Sequence, residues 1–180
     1  DIQPTMWGVF FEDINFAADG GIYAELVMNR SFEFTLPMMG WEQVRQNGSG
    51  RVVPTFYSPA NTNNPHYVRV HVNAETGAFG LSNSGFRGMG VKEGNLYKFS
   101  VNAKMSEGSD LKMKVEILDS AGSLIGTSQP VTFTTSWKKY QASIQASSTD
   151  AKAKLRIMFS GKGAADIDIV SLFPADTWKG

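Results

Sequence analysis

The chain has 180 residues with 17 basic and 17 acidic side chains, so its formal net charge is zero. This length suits one well-buried core with an appendage and is marginal for two independent domains. The basic residues are scattered rather than clustered, so the sequence lacks the basic stripe that binding to a phosphate backbone requires. We therefore expect no nucleic acid partner.

Cysteine is absent from the sequence, which excludes disulfides, thiol nucleophiles and cysteine-ligated zinc. No apolar run approaches the roughly 20 residues that a membrane-spanning helix needs, so no membrane span is expected. The sequence opens at Asp1 without the basic segment and apolar core of a signal peptide, so no targeting signal is expected within it. None of these three absences assigns a compartment.

The first thirty residues combine an apolar run with a glycine pair. Met6–Ile14 is apolar nearly throughout, as in a strand that is covered on both faces. After Gly20 and Gly21, the pattern of Ile22–Met28 predicts a short helix. Such a β-α unit cannot bury itself alone, so it either packs on the rest of the chain or belongs to a larger parallel domain, and we favour the second. The composition changes at about Asn29, which sets the predicted domain boundary.

The remainder of the chain has the pattern of β-strands. Apolar residues recur at every second position, and successive side chains of a strand point to opposite faces. Polar and glycine-containing segments, Gly161-Lys162-Gly163 among them, predict the turns in between. These features predict an all-β fold, an antiparallel β-sandwich of which the jelly roll is the commonest form. Strands are predicted over His66–Asn73, Leu96–Met105, Leu111–Ile117, Tyr140–Ala146, Ala153–Phe159 and Ala165–Phe173.

Two N-terminal motifs resemble a known enzyme family. Residues 8–15 (GVFFEDIN) and 18–27 (ADGGIYAELV) closely resemble the opening of α-L-arabinofuranosidases of glycoside hydrolase family fifty-one. The resemblance implies that residues 1–28 are the first strand and helix of a catalytic (β/α)8 barrel. It also implies that Glu12, at the end of that strand, contacts arabinose and positions the substrate in an intact enzyme.

A second resemblance covers both ends of the predicted sandwich. Residues 29–34 (NRSFEF) through Trp41, and residues 166–174 (DIDIVSLFP), resemble the start and finish of carbohydrate-binding modules of families four and nine, which are jelly-roll sandwiches. The resemblance implies such a module over residues 29–175 and a linker towards the missing barrel over 176–180. This arrangement resembles Bacteroides-type arabinofuranosidases and implies an extracellular or periplasmic location.

Sugar binding by a sandwich requires exposed aromatic rings for stacking, with polar groups that hydrogen-bond the hydroxyls. Alternation places Tyr67, Arg69 and His71 on the polar face of their strand, so these three are candidates to line a groove. Tyr57 lies in an Asn- and Pro-rich stretch typical of a loop at the border of a groove. For each aromatic, core or strand-surface packing is the alternative. Trp137 is expected in the core.

The second resemblance also implies a structural calcium ion. Modules of this kind often hold one between an N-terminal-strand glutamate and a C-terminal-strand aspartate, which match Glu33 and Asp168 here. Oxygen ligands suit this hard cation. The family pattern has paired aspartates where this chain has Asp168 followed by Ile169, so one ligand is missing.

The leading functional hypothesis is a non-catalytic carbohydrate-binding or substrate-orienting module of an α-L-arabinofuranosidase. Its expected partners are arabinose-containing polysaccharides or oligosaccharides and the missing catalytic barrel. The alternative is a structural module that braces the barrel and binds no sugar. The resemblance to the arabinofuranosidases implies a retaining mechanism, which requires two carboxylates about 5 Å apart at barrel strand ends, and it implies that neither belongs to this segment. The chain alone is therefore expected to be inactive.

Overall fold

The computed structural model describes residues 23–177, and within this range the regular structure consists of strands without any helix. All pairings between the strands are antiparallel, which confirms the predicted β-sandwich. The strands are β1 (Trp41–Gln46), β2 (Ser49–Thr55), β3 (Tyr67–Asn83), β4 (Met89–Val91), β5 (Leu96–Gly108), β6 (Lys112–Leu118), β7 (Leu124–Thr127), β8 (Val131–Thr132), β9 (Lys138–Gln145) and β10 (Asp150–Pro174).

The long strands β3 and β10 each pass from one sheet of the sandwich into the other. The front sheet has the order β2, the first half of β3, the second half of β10, β5 and β9. The back sheet has the order β1, the second half of β3, the first half of β10 and β6, with β7 and β8 paired to β6. β4 pairs with the start of β10. Because two strands are shared, one hydrogen-bonded network joins both sheets.

The predicted turn at residues 161–163 is instead a kink within β10. The register of β10 shifts between Phe159 and Gly161, where the strand crosses from the back sheet to the front sheet. Gly161 has a φ of 102°, and a Cβ atom there would lie 2.3 Å from the carbonyl oxygen of Asp110. The glycine therefore allows a close approach of two backbones, a requirement that local composition does not distinguish from a turn.

The hydrophobic core lies between the two sheets. In the first half of β3, Val68, Val70 and Val72 face the core, the alternation that the sequence predicts. Trp41 also belongs to the core, and its indole Nε1 donates to the carbonyl oxygen of Asn29 at 3.0 Å. Burial of each large apolar side chain contributes roughly 1.5 to 3 kcal/mol. The largest buried apolar side chains of the core include Phe32, Phe79, Phe99, Phe159, Leu81 and Ile117.

Residues 23–28 pack on the sandwich and are not helical, so the predicted helix over Ile22–Met28 is wrong within the described residues. Val27 is fully buried in the core, and the Leu26 N–H donates to the Leu172 carbonyl oxygen at 3.1 Å. Contacts with β10, distant in sequence, thus override the local pattern. The predicted strand Met6–Ile14 and the predicted substrate contact Glu12 lie outside the described residues.

Candidate functional site

The outer face of the front sheet carries most of the predicted binding residues. In the strand registers, Arg69 on β3 lies between Val53 on β2 and Asp166 on β10, and Asp166 pairs in turn with Lys104 on β5. Paired residues of neighbouring strands point to the same face, so these side chains form a row across the sheet.

Asp166 is the buried centre of this row. Its carboxylate is fully buried and accepts hydrogen bonds from Arg69, from Nε at 2.6 Å and from Nη2 at 2.9 Å. Lys104 Nζ lies 3.6 Å from the same carboxylate. The hydrogen bonds with Asp166 raise the pKa of Arg69. The geometry leaves Arg69 charged and held in one orientation, with part of its side chain open to solvent.

Tyr67 does not supply the exposed ring that the sequence suggests. It lies on the outer face, opposite the core valines, but only 1% of it is exposed. Trp137 packs edge-on against it with ring centroids 5.3 Å apart, and Lys104 Nζ lies 4.9 Å from the Trp137 ring centroid. The expectation of an exposed Tyr67 is therefore wrong, and so is that of Trp137 in the core, because Trp137 is partly exposed and covers Tyr67.

A cleft of about 770 Å³ lies at the His71 end of the outer face. His71 is partly exposed, and its Nδ1 lies 3.8 Å from Glu107 Oε2. Arg51 on β2 and Lys162 on β10 also line the cleft, and Asn73 contributes to its wall. The cleft thus presents hydrogen-bond donors and acceptors together, as binding of a neutral polyhydroxylated ligand requires.

The segment 56–66, between β2 and β3, borders the other end of this face. Tyr57 is 86% exposed, and Phe56, which is 56% exposed, stacks on it with ring centroids 4.9 Å apart. The Ser58 carbonyl oxygen accepts hydrogen bonds from Trp137 Nε1 and Lys104 Nζ, which attach the segment to the sheet. The structure therefore presents Tyr57 on the surface, together with a second aromatic that the sequence reasoning missed.

Glu33 and Asp168 lie within electrostatic reach of each other. Burial raises the pKa of Asp168 to about 7, and the negative charge of Glu33 adds to the increase. Asn64 Nδ2 donates to Asp168 Oδ2 at 3.3 Å, and Glu33 accepts a hydrogen bond from the backbone N–H of His66. Within residues 23–177 no group of three or more histidine or acidic side chains is arranged to hold a metal ion. Any cation here would depend on these two carboxylates with amide, backbone or water oxygens.

Residues 24–164 match the family model of a carbohydrate binding domain, CBM_4_9. The chain belongs to this family. The carbohydrate binding domain is also similar to curated enzymes over 99% of its length, with 38% identity to an extracellular exo-α-L-arabinofuranosidase of Streptomyces chartreusis and 33% to α-L-arabinofuranosidase 1 of Arabidopsis thaliana. It spans only 21% and 28%, respectively, of those two relatives.

Two solved structures share the fold of this chain. The arabinose-bound MgGH51 α-L-arabinofuranosidase superposes with a TM-score of 0.81 at 25% identity, over 94% of this chain and 29% of that one. The CBM22-1 xylan-binding domain of Paenibacillus barcinonensis Xyn10C superposes with a TM-score of 0.55 at 19% identity, over 83% of this chain and 94% of that one, which shows a shared fold. In the described part of the carbohydrate binding domain no helix is long and apolar enough to cross a membrane.

Several features of the candidate face of the carbohydrate binding domain could not be predicted from the sequence. The ion pair between Arg69 and Asp166 joins residues 97 positions apart, so no local pattern reveals it. Phe56 gave a usable signal, since it directly precedes Tyr57 in a polar, proline-containing stretch. No sequence signal indicated the position of Trp137, because that position depends on how segment 56–66 folds over the sheet.

Proposed function

We propose that this carbohydrate binding domain is a non-catalytic module that binds or orients arabinose-containing plant polysaccharide for a secreted α-L-arabinofuranosidase. The observation that carries the proposal is the exposed aromatic pair of Phe56 and Tyr57 at the border of a hydrogen-bonding face. The names of the relatives support the enzyme class, and one of them is described as extracellular. The catalytic barrel would lie in the same longer chain.

The chemistry of the outer face suits a neutral sugar. An exposed tyrosine ring stacks on the apolar face of a furanose or pyranose. Arg69, held by Asp166, and His71, at the cleft, would hydrogen-bond the hydroxyl groups from the same side of the sheet. In this proposal Tyr67 supports Trp137 from beneath instead of contacting sugar directly. Glu12 would position arabinose only in the complete active site, so the chain alone would not hydrolyse glycosides.

The bracing alternative rests on a different surface. Residues Leu36, Pro37, Met38 and Met39 line an apolar depression, and Leu36 is 63% exposed. Apolar surface of this kind is typical of contacts between domains. A module that only braced a barrel would use such a surface and would leave the aromatic pair without a ligand.

The aromatic pair provides the test of sugar binding. Replacement of Tyr57 by alanine is expected to weaken binding of arabino-oligosaccharides about tenfold, because a stacking contact of roughly 1 kcal/mol or more is lost. Isothermal titration calorimetry of the wild type and of Tyr57→Ala, Phe56→Ala and Leu124→Ala against arabinan, arabinoxylan and arabinogalactan measures this. Leu124 is 50% exposed on β7, away from the face, and serves as the matched control. If the wild type binds none of the three polysaccharides, the bracing role is favoured instead.

We also propose that Glu33 and Asp168 hold a structural calcium ion, together with backbone or water oxygens. The donor chemistry fits, since calcium takes about six to eight oxygen ligands. The bound ion would lie between the Asp168 carboxylate and that of Glu33, which also contacts His66 Nδ1. Ile169, directly after Asp168, has a φ of 49°, an unfavourable conformation for a β-branched residue. Such strain concentrates at ligand sites, which supports the proposal.

The calcium proposal predicts a pH-dependent stabilisation. Without the ion, the raised pKa of Asp168 means that the folded state binds a proton more tightly than the unfolded state. The protonation of Asp168 then stabilises the folded state most strongly below pH 4, and this stabilisation is lost as the pH rises to about 7. Calcium displaces that proton, so it should raise the melting temperature more at pH 8 than at pH 5.5.

Thermal unfolding in chelator and in calcium measures the effect, with Asp168→Asn as the diagnostic variant. This substitution is expected to remove both the calcium response and the loss of stability between pH 4 and about pH 7. Glu42→Gln, at an exposed carboxylate of β1, is the control and should retain both. An unchanged melting temperature of the wild type in calcium at pH 8 would mean that the site is absent.

A further inference from the structure

A second groove lies on the outer face of the front sheet, at the edge far from β2. It has a volume of about 330 Å³ and lies over the paired ends of β10, β5 and β9. We call it the lysine groove, and its lining includes Lys98, Lys139, Ser100, Gln141, Phe173 and Tyr23. Neither the aromatic pair nor the His71 cleft contributes to it.

The registers place these side chains on one surface. Ser100 on β5 pairs with Gln141 on β9 and with Ser171 on β10, so two hydroxyls and an amide form the floor. Lys98 pairs with Phe173, and Lys139 pairs with Asn102. Asn102, the partner of Lys139, lies four positions from Lys98 along β5. The Cα atoms of the two lysines are therefore about 13 Å apart along the strand direction, with the polar floor between them.

The charged side chains that line the groove are all positive. Among the residues that the structure describes, its lining contains two lysines and no carboxylate, although the chain as a whole is neutral. Both lysines are exposed, and within residues 23–177 neither forms an ion pair. By contrast, Lys104 on the same face is engaged by Asp166. The groove thus offers two positive charges that no carboxylate of residues 23–177 neutralises, and it attracts an anionic group.

One wall of the groove is aromatic. Tyr23 is 48% exposed and packs edge-on against Phe173 with ring centroids 4.9 Å apart. This packing holds the tyrosine ring at the rim while part of it stays open to solvent. An aromatic rim, a floor of hydroxyl and amide groups and two ammonium groups match a sugar ring that carries a carboxylate.

We propose that the lysine groove is a subsite for an acidic saccharide, a chain that contains uronic acid units. This inference rests on the proposed function in taking the domain to bind saccharide, and it adds a second site with a different ligand class. Tyr23 and Thr177, the first and last described residues, both line the groove. An acidic unit bound there lies beside these two residues, while a neutral arabinose unit is bound at the far edge of the same face.

The test compares trigalacturonic acid with its methyl ester, which keeps the ring and removes the charge. Calorimetric titration of the wild type should show binding of the acid, weakened by added salt, and much weaker binding of the ester. Lys98→Gln and Lys139→Gln should each weaken binding of the acid about tenfold, since each removes a charge-assisted contact. Lys112→Gln, at an exposed lysine of the back sheet, is the matched control and should leave the affinity unchanged.

Equal binding of acid and ester, an effect of Lys112→Gln as large as that of Lys98→Gln, or no binding of the acid by the wild type would each overturn the inference. Titration of the same variants with a neutral arabino-oligosaccharide separates it from the proposed function. Loss of neutral binding in Tyr57→Ala, with binding of the acid retained, supports two separate sites. Binding of the acid alone by the wild type, weakened by Lys98→Gln, supports the lysine groove and contradicts the proposed arabinose site.

Discussion

Replacement of Asp166 by alanine is expected to lower the free energy of unfolding by about 3 kcal/mol, because removal of one partner of a buried ion pair leaves uncompensated charge. The Asp166 carboxylate is fully buried, and two cations, Arg69 and Lys104, contact it. Arg69 is 32% exposed and reaches water, which places the cost at the lower end of the usual range for buried pairs. Urea denaturation followed by intrinsic fluorescence measures the change.

Two further variants separate the ion pair from general disruption of the sheet. Glu42→Ala removes an exposed carboxylate of β1 and should change stability by less than about 0.5 kcal/mol. A triple variant with Arg69→Met, Lys104→Met and Asp166→Leu removes all three charges together and should cost less than Asp166→Ala alone, since no buried charge is left unpaired. A loss below about 1 kcal/mol in Asp166→Ala would show that the carboxylate is hydrated or dispensable.

Replacement of Glu25 by alanine is also expected to lower the free energy of unfolding by about 3 kcal/mol. The fully buried carboxylate accepts hydrogen bonds from the backbone N–H groups of Val27 at 3.0 Å and Leu172 at 2.9 Å. Arg30 Nη1 donates to its other oxygen at 3.3 Å. Alanine leaves two buried N–H donors without an acceptor, at roughly 1 to 3 kcal/mol each.

Glu25→Gln is the graded control, because its side-chain carbonyl still accepts from both backbone N–H groups, while the charge and the acceptor of the Arg30 Nη1 hydrogen bond are lost. We expect it to cost about 1 kcal/mol. Hydrogen exchange at Leu26 and Val27 should accelerate strongly in Glu25→Ala and only slightly in Glu25→Gln, since residues 23–28 lose their link to β10. Equal losses in the two variants would contradict the role of the carboxylate as an acceptor.

The part of the fold that the sequence by itself determined is the part that depends on strand periodicity. The valines of β3 and the alternating residues of β5 identify strands, because a half-buried strand must repeat its apolar residues every second position. The motifs at residues 29–34 and 166–174 similarly indicated a carbohydrate-binding module, and the match over residues 24–164 shows that family. These features are local, so they are readable without coordinates.

The tertiary structure alone decided which polar residues meet and which aromatics stay exposed. Tyr67 in a predicted strand and Tyr57 in a predicted loop were both candidates for sugar contact, yet Tyr67 is buried under Trp137 and Tyr57 is 86% exposed. Lys98 and Lys104 occupy positions of β5 that face the same side of the sheet, yet only Lys104 has a carboxylate opposite it on β10. Burial and ion pairing depend on strands that are neighbours in space and distant in sequence, so strand period assigns a residue to a face without identifying what covers it.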